Sequence, residues 1–158
     1  MKNSTYSSPT NPSGAKLLFV EHCNDQWEII QTLIRQYLPQ VNPLRANSAQ
    51  QAMKLLRAGQ QQEWELPQLI LLDLHLPSLV DGWQLLTAIK ALTAPARWIP
   101  TVVLSSSLSR EDVVKAYQAG AASYLRKPIE LAGWQILFEE VRANWWETVR
   151  LPPMHYIL

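Results

Sequence analysis

The sequence predicts an α/β domain built on a parallel sheet, and three observations carry that expectation. From Ala15 onward, short apolar runs alternate with helical patterns of ten or more residues, the rhythm of successive βα units. The runs Leu69-Ile70-Leu71-Leu72 and Thr101-Val102-Val103-Leu104 lack the polar alternation of a half-solvated strand, as strands covered on both faces do. Each run ends on a polar side chain: Asp73, Ser105 and, after Ala122 to Arg126, Lys127. That places reactive groups at the carboxyl ends of strands, where open α/β sheets bind ligands.

Residues 1–13 are small, polar and punctuated by proline, which predicts a flexible lead. Residues 14–150 are expected to form the domain, with a tail over 151–158. Strand one is Lys16 to Glu21. Helix one, with Asp25 as its cap, puts Trp27, Ile30, Leu33, Ile34 and Tyr37 on one face, and Pro39 ends it. Strand two lies around Leu44 to Ala46. Ser48 caps a helix with Ala49, Ala52, Met53 and Leu56 inward, Gly59 stops it, and Gln60 to Glu65 is surface loop.

Strand three ends at Asp73. After a loop at Pro77, helix three presents Trp83, Leu86, Ile89 and Leu92. Strand four is Thr101 to Ser105, and Ser109 caps helix four, with Glu111 and Asp112 in its first turn. Gly120 stops that helix before strand five, Ala122 to Arg126. Helix five begins near Glu130 and keeps Trp134, Leu137, Val141 and Trp145 at helical spacing, reaching about Val149 before Leu151-Pro152-Pro153 breaks it. Right-handed crossovers with short loops favour the flavodoxin-like (βα)5 order 2-1-3-4-5. Its crevice then lies at the ends of strands one and three, where Glu21, His22 and Asp73 meet.

Composition narrows the function classes. Fourteen basic residues against thirteen acidic ones leave a net charge of +1, without the dense Lys/Arg run that nucleic-acid binding requires. Cys23 is the single cysteine and cannot form an intramolecular disulfide. No stretch approaches the roughly 20 apolar residues of a membrane span or resembles a signal peptide, so a cytoplasmic protein is expected. Seven tryptophans stand against two phenylalanines, and the adjacent pair Trp145-Trp146 predicts apolar surface beyond an ordinary core.

The ordered set from Lys16 to about Phe138 resembles the receiver domain of two-component response regulators. The resemblance implies that Asp73 is the phospho-acceptor and that Glu21 occupies the first acidic position. Lys127 would be the strand-five lysine, followed by a cis bond to Pro128, with Ser105 as the hydroxyl and Tyr124 as the aromatic switch. A carboxylate attacking a phosphoryl group meets like-charge repulsion, so a divalent cation is needed. By resemblance this is Mg2+, held by Glu21, Asp73 and the backbone carbonyl of His75. The implied partner is a histidine kinase or phosphotransfer protein, and the implied role is a binding module controlled by phosphorylation, not a turnover enzyme. Only about a dozen residues follow helix five, which leaves no room for a DNA-binding output domain, so output is expected through protein contact.

The chain departs from the family pattern at His22. Receivers carry two adjacent acids after strand one, whereas this chain reads Val20-Glu21-His22-Cys23-Asn24-Asp25. Imidazole is a poor ligand for a hard, oxygen-seeking cation, so the metal site is expected to be weakened unless Asp25 replaces the missing acid. The alternative reading is a pseudo-receiver whose metal site His22 disables and which acts as a phosphorylation-independent interaction or scaffold protein. As a pair, His22 and Cys23 lack the ligand spacing of a transition-metal site. A phosphatase with an Asp-x-Asp nucleophile is excluded, because Asp73-Leu74-His75 lacks the second acid. The loop Pro77 to Gly82 is one residue longer than usual. Finally, Asn144 to Pro152 resembles the tail of cyanobacterial single-domain response regulators, including those paired with phytochrome kinases. That likeness implies a homodimer with Trp145 and Trp146 at its interface.

Overall fold

Five parallel strands form one sheet in the computed structural model, which describes residues 14–148. They are β1 (Lys16–Val20), β2 (Asn42–Ala46), β3 (Leu69–Asp73), β4 (Thr101–Ser105) and β5 (Ser123–Arg126), in the expected order β2-β1-β3-β4-β5. β3 and β4 are buried throughout, as is β1 except at Lys16, while the edge strands β2 and β5 are partly exposed. Pro43, which has no N–H to give a ladder, lies in edge strand β2, the position where proline is tolerated.

The period of two along each strand divides the core. Leu17, Phe19, Leu69, Leu71, Val102 and Leu104 face one side, against α1 (Asn24–Tyr37) and α5 (Leu131–Glu140). Leu18, Val20, Ile70, Leu72 and Val103 face the other, against α2 (Ala49–Gln61), α3 (Leu79–Lys90) and α4 (Arg110–Gln118). The expected inward faces hold: Ile30, Leu33 and Ile34 of α1, Leu86 and Ile89 of α3, and Trp134 and Leu137 of α5 are buried.

Ser48 and Ser109 cap α2 and α4 as expected, their hydroxyls accepting from the N–H groups of Gln51 and Asp112. Ser78 does the same for α3 from Asp81. Gly120 follows α4 at φ +101, a left-handed conformation that glycine adopts without a Cβ penalty.

Other expectations need correction. Asp25 does not cap α1; the flanking residue is Cys23, with no side-chain cap, and Asp25 sits inside the first turn, where its charge meets the positive end of the helix dipole. Gly59 does not stop α2, which runs on to Gln61. It is buried instead, because a Cβ there would meet Leu66 Cδ2 at 2.6 Å. Glu63–Glu65 form a short 3-10 turn where loop was expected, and α3 begins at Leu79, inside the segment read as loop. The α-helical geometry of α5 ends at Glu140 and continues as a π-helix over Val141–Thr148, with wider i→i+5 closure. Trp145, four residues past buried Val141, still packs against the α1 and α5 side of the core. The described cis bonds precede Pro77 and Pro95; the Lys127–Pro128 bond is not among them.

Candidate functional site

Strand register assembles the site. Val20 of β1 pairs with Leu72 of β3, so Glu21, one residue past β1, stands level with Asp73. Asp73 pairs with Leu104, and Ser105 with Arg126, which brings Ser105 and Lys127 to the same rim. Glu21, Asp73 and Ser105 are all buried, at 2, 2 and 3% exposure. A buried carboxylate requires partners, and Lys127 serves both. Its Nζ donates to Asp73 Oδ2 at 2.6 Å and to Glu21 Oε2 at 2.9 Å. The remaining oxygens accept backbone N–H groups, Oδ1 of Asp73 from His75 at 3.0 Å and Oε1 of Glu21 from Cys23 at 3.1 Å.

One lysine among two buried acids leaves them in mutual repulsion. Burial, and next the charge of Asp73, raise the Glu21 carboxyl above its ordinary value of 4.5, while Lys127 and the Cys23 N–H pull it the other way. His22 stands at the same rim, with Nδ1 3.9 Å from Asp73 Oδ2. Ligand atoms of Glu21, His22 and Asp73 all lie within 4.8 Å of one another. Asp25 is not in this group, so it does not replace the missing acid. The site opens into a cleft of about 400 Å³ lined in part by His75, Ser105, Ser106 and Ile129. The His75 side chain is exposed at the rim, as expected.

Ser105 and Tyr124, the residues expected to form a switch, are joined through Ser107, which sequence reasoning passed over. Ser107 donates its N–H to Ser105 Oγ at 3.2 Å, and its carbonyl accepts the Tyr124 hydroxyl at 2.6 Å. The Ser107 backbone therefore lies between Ser105 and Tyr124. Sequence gave no reason to rank Ser107 above its neighbours, since it precedes a cap and looks like polar loop. Arg45 of β2 was missed for a similar reason. Its Nε donates to the Glu21 carbonyl at 3.1 Å and its Nη2 to His22 O at 3.4 Å and Asn24 Oδ1 at 2.8 Å, while its guanidinium lies 5.6 Å from the Trp27 ring centroid. An arginine on an edge strand carries no periodic signal that it braces a distant loop.

Trp145 is half-buried against its own core. The side chain of Trp146 lies outside the described residues.

The arrangement is a buried carboxylate with a cation, a second acid and a hydroxyl at one strand-end rim. The response regulator receiver domain family matches residues 17–135. Response regulator Rcp1 of Synechocystis sp. is 36% identical over 98 residues, 62% of this chain and 65% of that protein. The probable methanogenesis regulatory protein FilR2 of Methanothrix harundinacea is 38% identical over 94 residues, 60% of this chain and 59% of that one. Both matches thus span less than two thirds of the relative's length. Among solved structures, the Mn(2+)-bound form of Rcp1 superposes with a TM-score of 0.76 at 29% identity, covering 88% of this chain and 99% of the other. The phosphorylated cyanobacterial phytochrome response regulator RcpA does so with a TM-score of 0.78 at 28% identity, covering 89% and 99%. The matched span includes Glu21, Asp73, Ser105, Tyr124 and Lys127, and the chain belongs to the response regulator receiver domain family.

Proposed function

We propose that this chain is a single-domain response regulator in which Asp73 accepts a phosphoryl group from a histidine kinase or phosphotransfer protein. The observation that carries the reading is Lys127, placed 2.6 Å from one buried carboxylate and 2.9 Å from another at the ends of β3 and β1. The near-complete coverage of the solved Rcp1 and RcpA chains supports the single-domain form. In the transfer, an Asp73 oxygen forms a bond to phosphorus as the bond from phosphorus to the donor's imidazole nitrogen breaks. That nitrogen keeps the electron pair. Lys127 offsets the negative charge gathering at the acceptor, and the Ser105 hydroxyl donates to a phosphoryl oxygen. Movement of Ser105 then pulls on Ser107 and, through it, on Tyr124. Ile129, 86% exposed beside the cleft, supplies an apolar contact for the donor protein.

A bound divalent cation would offset the negative charge that gathers at the acceptor carboxylate. Glu21, Asp73 and the His75 carbonyl are the oxygen donors that would hold Mg2+, and the likeness to a Mn(2+)-bound form of Rcp1 supports a divalent cation. The imidazole of His22 takes the place of the second acid.

This role is that of a controlled binding module in the cytoplasm, without substrate turnover and without nucleic acid as partner. No described helix is long and apolar enough to cross a membrane. The test is intact mass after incubation with a small phosphodonor and a divalent cation, run in parallel with Mg2+ and Mn2+. Wild type is expected to gain one phosphoryl group and Asp73→Asn none. No gain in wild type with either ion, together with gain in His22→Asp, would establish the phosphorylation-independent reading instead.

The domain's output is proposed to run through a homodimer that uses the C-terminal tryptophans. Light scattering should report a dimer mass for wild type and a smaller mass for Trp146→Ala or Trp145→Ala. A monomeric wild type, or variants that remain dimeric, would remove this part of the proposal.

A further inference from the structure

We infer that the rim of β1 and β3 is a mixed nitrogen and oxygen metal site, with His22 as a direct ligand, that selects an imidazole-accepting divalent transition ion over Mg2+. The inference rests on the reading that Glu21 and Asp73 hold the cation of a phospho-acceptor site. In the sequence His22 and Cys23 lack the ligand spacing of a transition-metal site; the fold adds Asp73 to the adjacent Glu21 and His22, because β1 and β3 end side by side. Glu21, His22 and Asp73 each offer a ligand atom within 4.8 Å of the others. Three protein ligands with the remaining positions open to water is a common arrangement for Zn2+ in reactive sites.

The donor set decides the class of ion. Mg2+ demands oxygens in a near-ideal octahedron and sheds water reluctantly. Imidazole suits Zn2+ and its transition-metal neighbours, which bind nitrogen and oxygen ligands more tightly than Mn2+ does. Replacing one carboxylate by imidazole removes a negative oxygen that Mg2+ needs and adds a donor that Zn2+ or Co2+ favours.

The surrounding hydrogen bonds are consistent with ligation. Each oxygen of Glu21 and Asp73 accepts one hydrogen bond, from Cys23, His75 or Lys127. A carboxylate oxygen has a second lone pair, so these bonds orient the ligands without exhausting them. Arg45 binds the carbonyls of both Glu21 and His22, which holds the ligand-bearing loop at its backbone. The His22 side chain is 39% exposed, and its Nδ1 already lies 3.9 Å from Asp73 Oδ2. Fixing ligands through such outer contacts commonly changes metal affinity by about 10- to 100-fold.

The test is Co2+ titration of the full chain, followed by visible absorption, with Mg2+ and Zn2+ as competitors and no phosphodonor present. One Co2+ per chain is expected to bind, Zn2+ to displace it, and Mg2+ in about tenfold excess to leave it bound. His22→Ala should weaken Co2+ by at least about tenfold, and His22→Asp should shift the preference toward Mg2+. Nitrogen couplings in the pulsed electron paramagnetic resonance of the Mn2+ form should vanish in His22→Ala. Displacement of Co2+ by an equal concentration of Mg2+ would overturn the inference, as would a selectivity that survives His22→Ala. Binding that disappears in Asp73→Asn while wild type shows no phosphoryl gain would separate a valid metal site from a failed phospho-acceptor reading.

Discussion

Gly82→Ala is expected to destabilise the domain by about 3 kcal/mol, the upper end of the range for overpacking a well-filled interior. Gly82 lies in the first turns of α3 and is buried there. A Cβ on it would sit 1.8 Å from the Leu74 carbonyl oxygen and 2.5 Å from the Leu74 carbonyl carbon. Both are backbone atoms, so no rotamer change relieves the overlap; helix and loop must separate. The sign makes the measurement decisive, because glycine to alanine in an unobstructed helix interior gains roughly 0.5 to 1 kcal/mol from helix propensity. Gly59→Ala offers the contrast. Its Cβ would meet the end of the Leu66 side chain, which can swing aside, so a smaller loss is expected. Urea unfolding at constant m-value measures both, and a Gly82→Ala variant as stable as wild type would refute the close approach. Leu74 directly follows Asp73, so the same displacement would disturb the His75 N–H that Asp73 accepts. Phosphoryl uptake should fall together with stability.

Lys127→Met should cost about 3 kcal/mol at neutral pH in the absence of divalent cation, the scale expected when one partner of a buried ion pair is removed. The lysine is the shared partner of Glu21 and Asp73, and without it two buried carboxylates face each other. The direction with pH follows from Glu21. Its folded pKa is raised, first by burial and then by Asp73, and Lys127 opposes that rise. A raised carboxyl favours the protonated folded state, so its stabilising effect is present below the ordinary 4.5 and is lost as pH climbs through the folded value. Removing Lys127 moves the folded value further up and deepens that loss. The deficit of Lys127→Met relative to wild type should therefore be small near pH 4 and grow toward neutrality. A divalent cation should restore part of it by neutralising the same carboxylates, whereas a deficit independent of pH and of cation would mean that Lys127 acts through packing alone.

Much of this architecture is legible in one dimension because its causes are local. The uninterrupted apolar runs of β3 and β4 report burial on both faces. Ser48 and Ser109 announce helix starts because a hydroxyl can accept an orphan N–H within three residues. Gly59 misleads for an instructive reason: glycine before a polar stretch looks like a helix stop, but its role is to let Leu66 approach α2. Asp25 misleads because a carboxylate near a helix start serves equally as a cap or as first-turn charge, and only the backbone angles of the flanking residue separate the two.

By itself, then, the sequence determined the alternation of strands and helices, the two-sided core, and the placement of Glu21, Asp73, Ser105 and Lys127 at strand ends. Each follows from periodicity or from the chemistry of a few adjacent residues. Only the tertiary structure decided that Lys127 bridges Asp73, 54 residues away, and Glu21, 106 residues away. It alone brought His22 within 3.9 Å of Asp73, Arg45 onto the loop that carries His22, and Ser107 between Ser105 and Tyr124. These distances depend on the register of strands separated by whole helices, and register is set by how the two faces of the sheet pack. No local pattern encodes that.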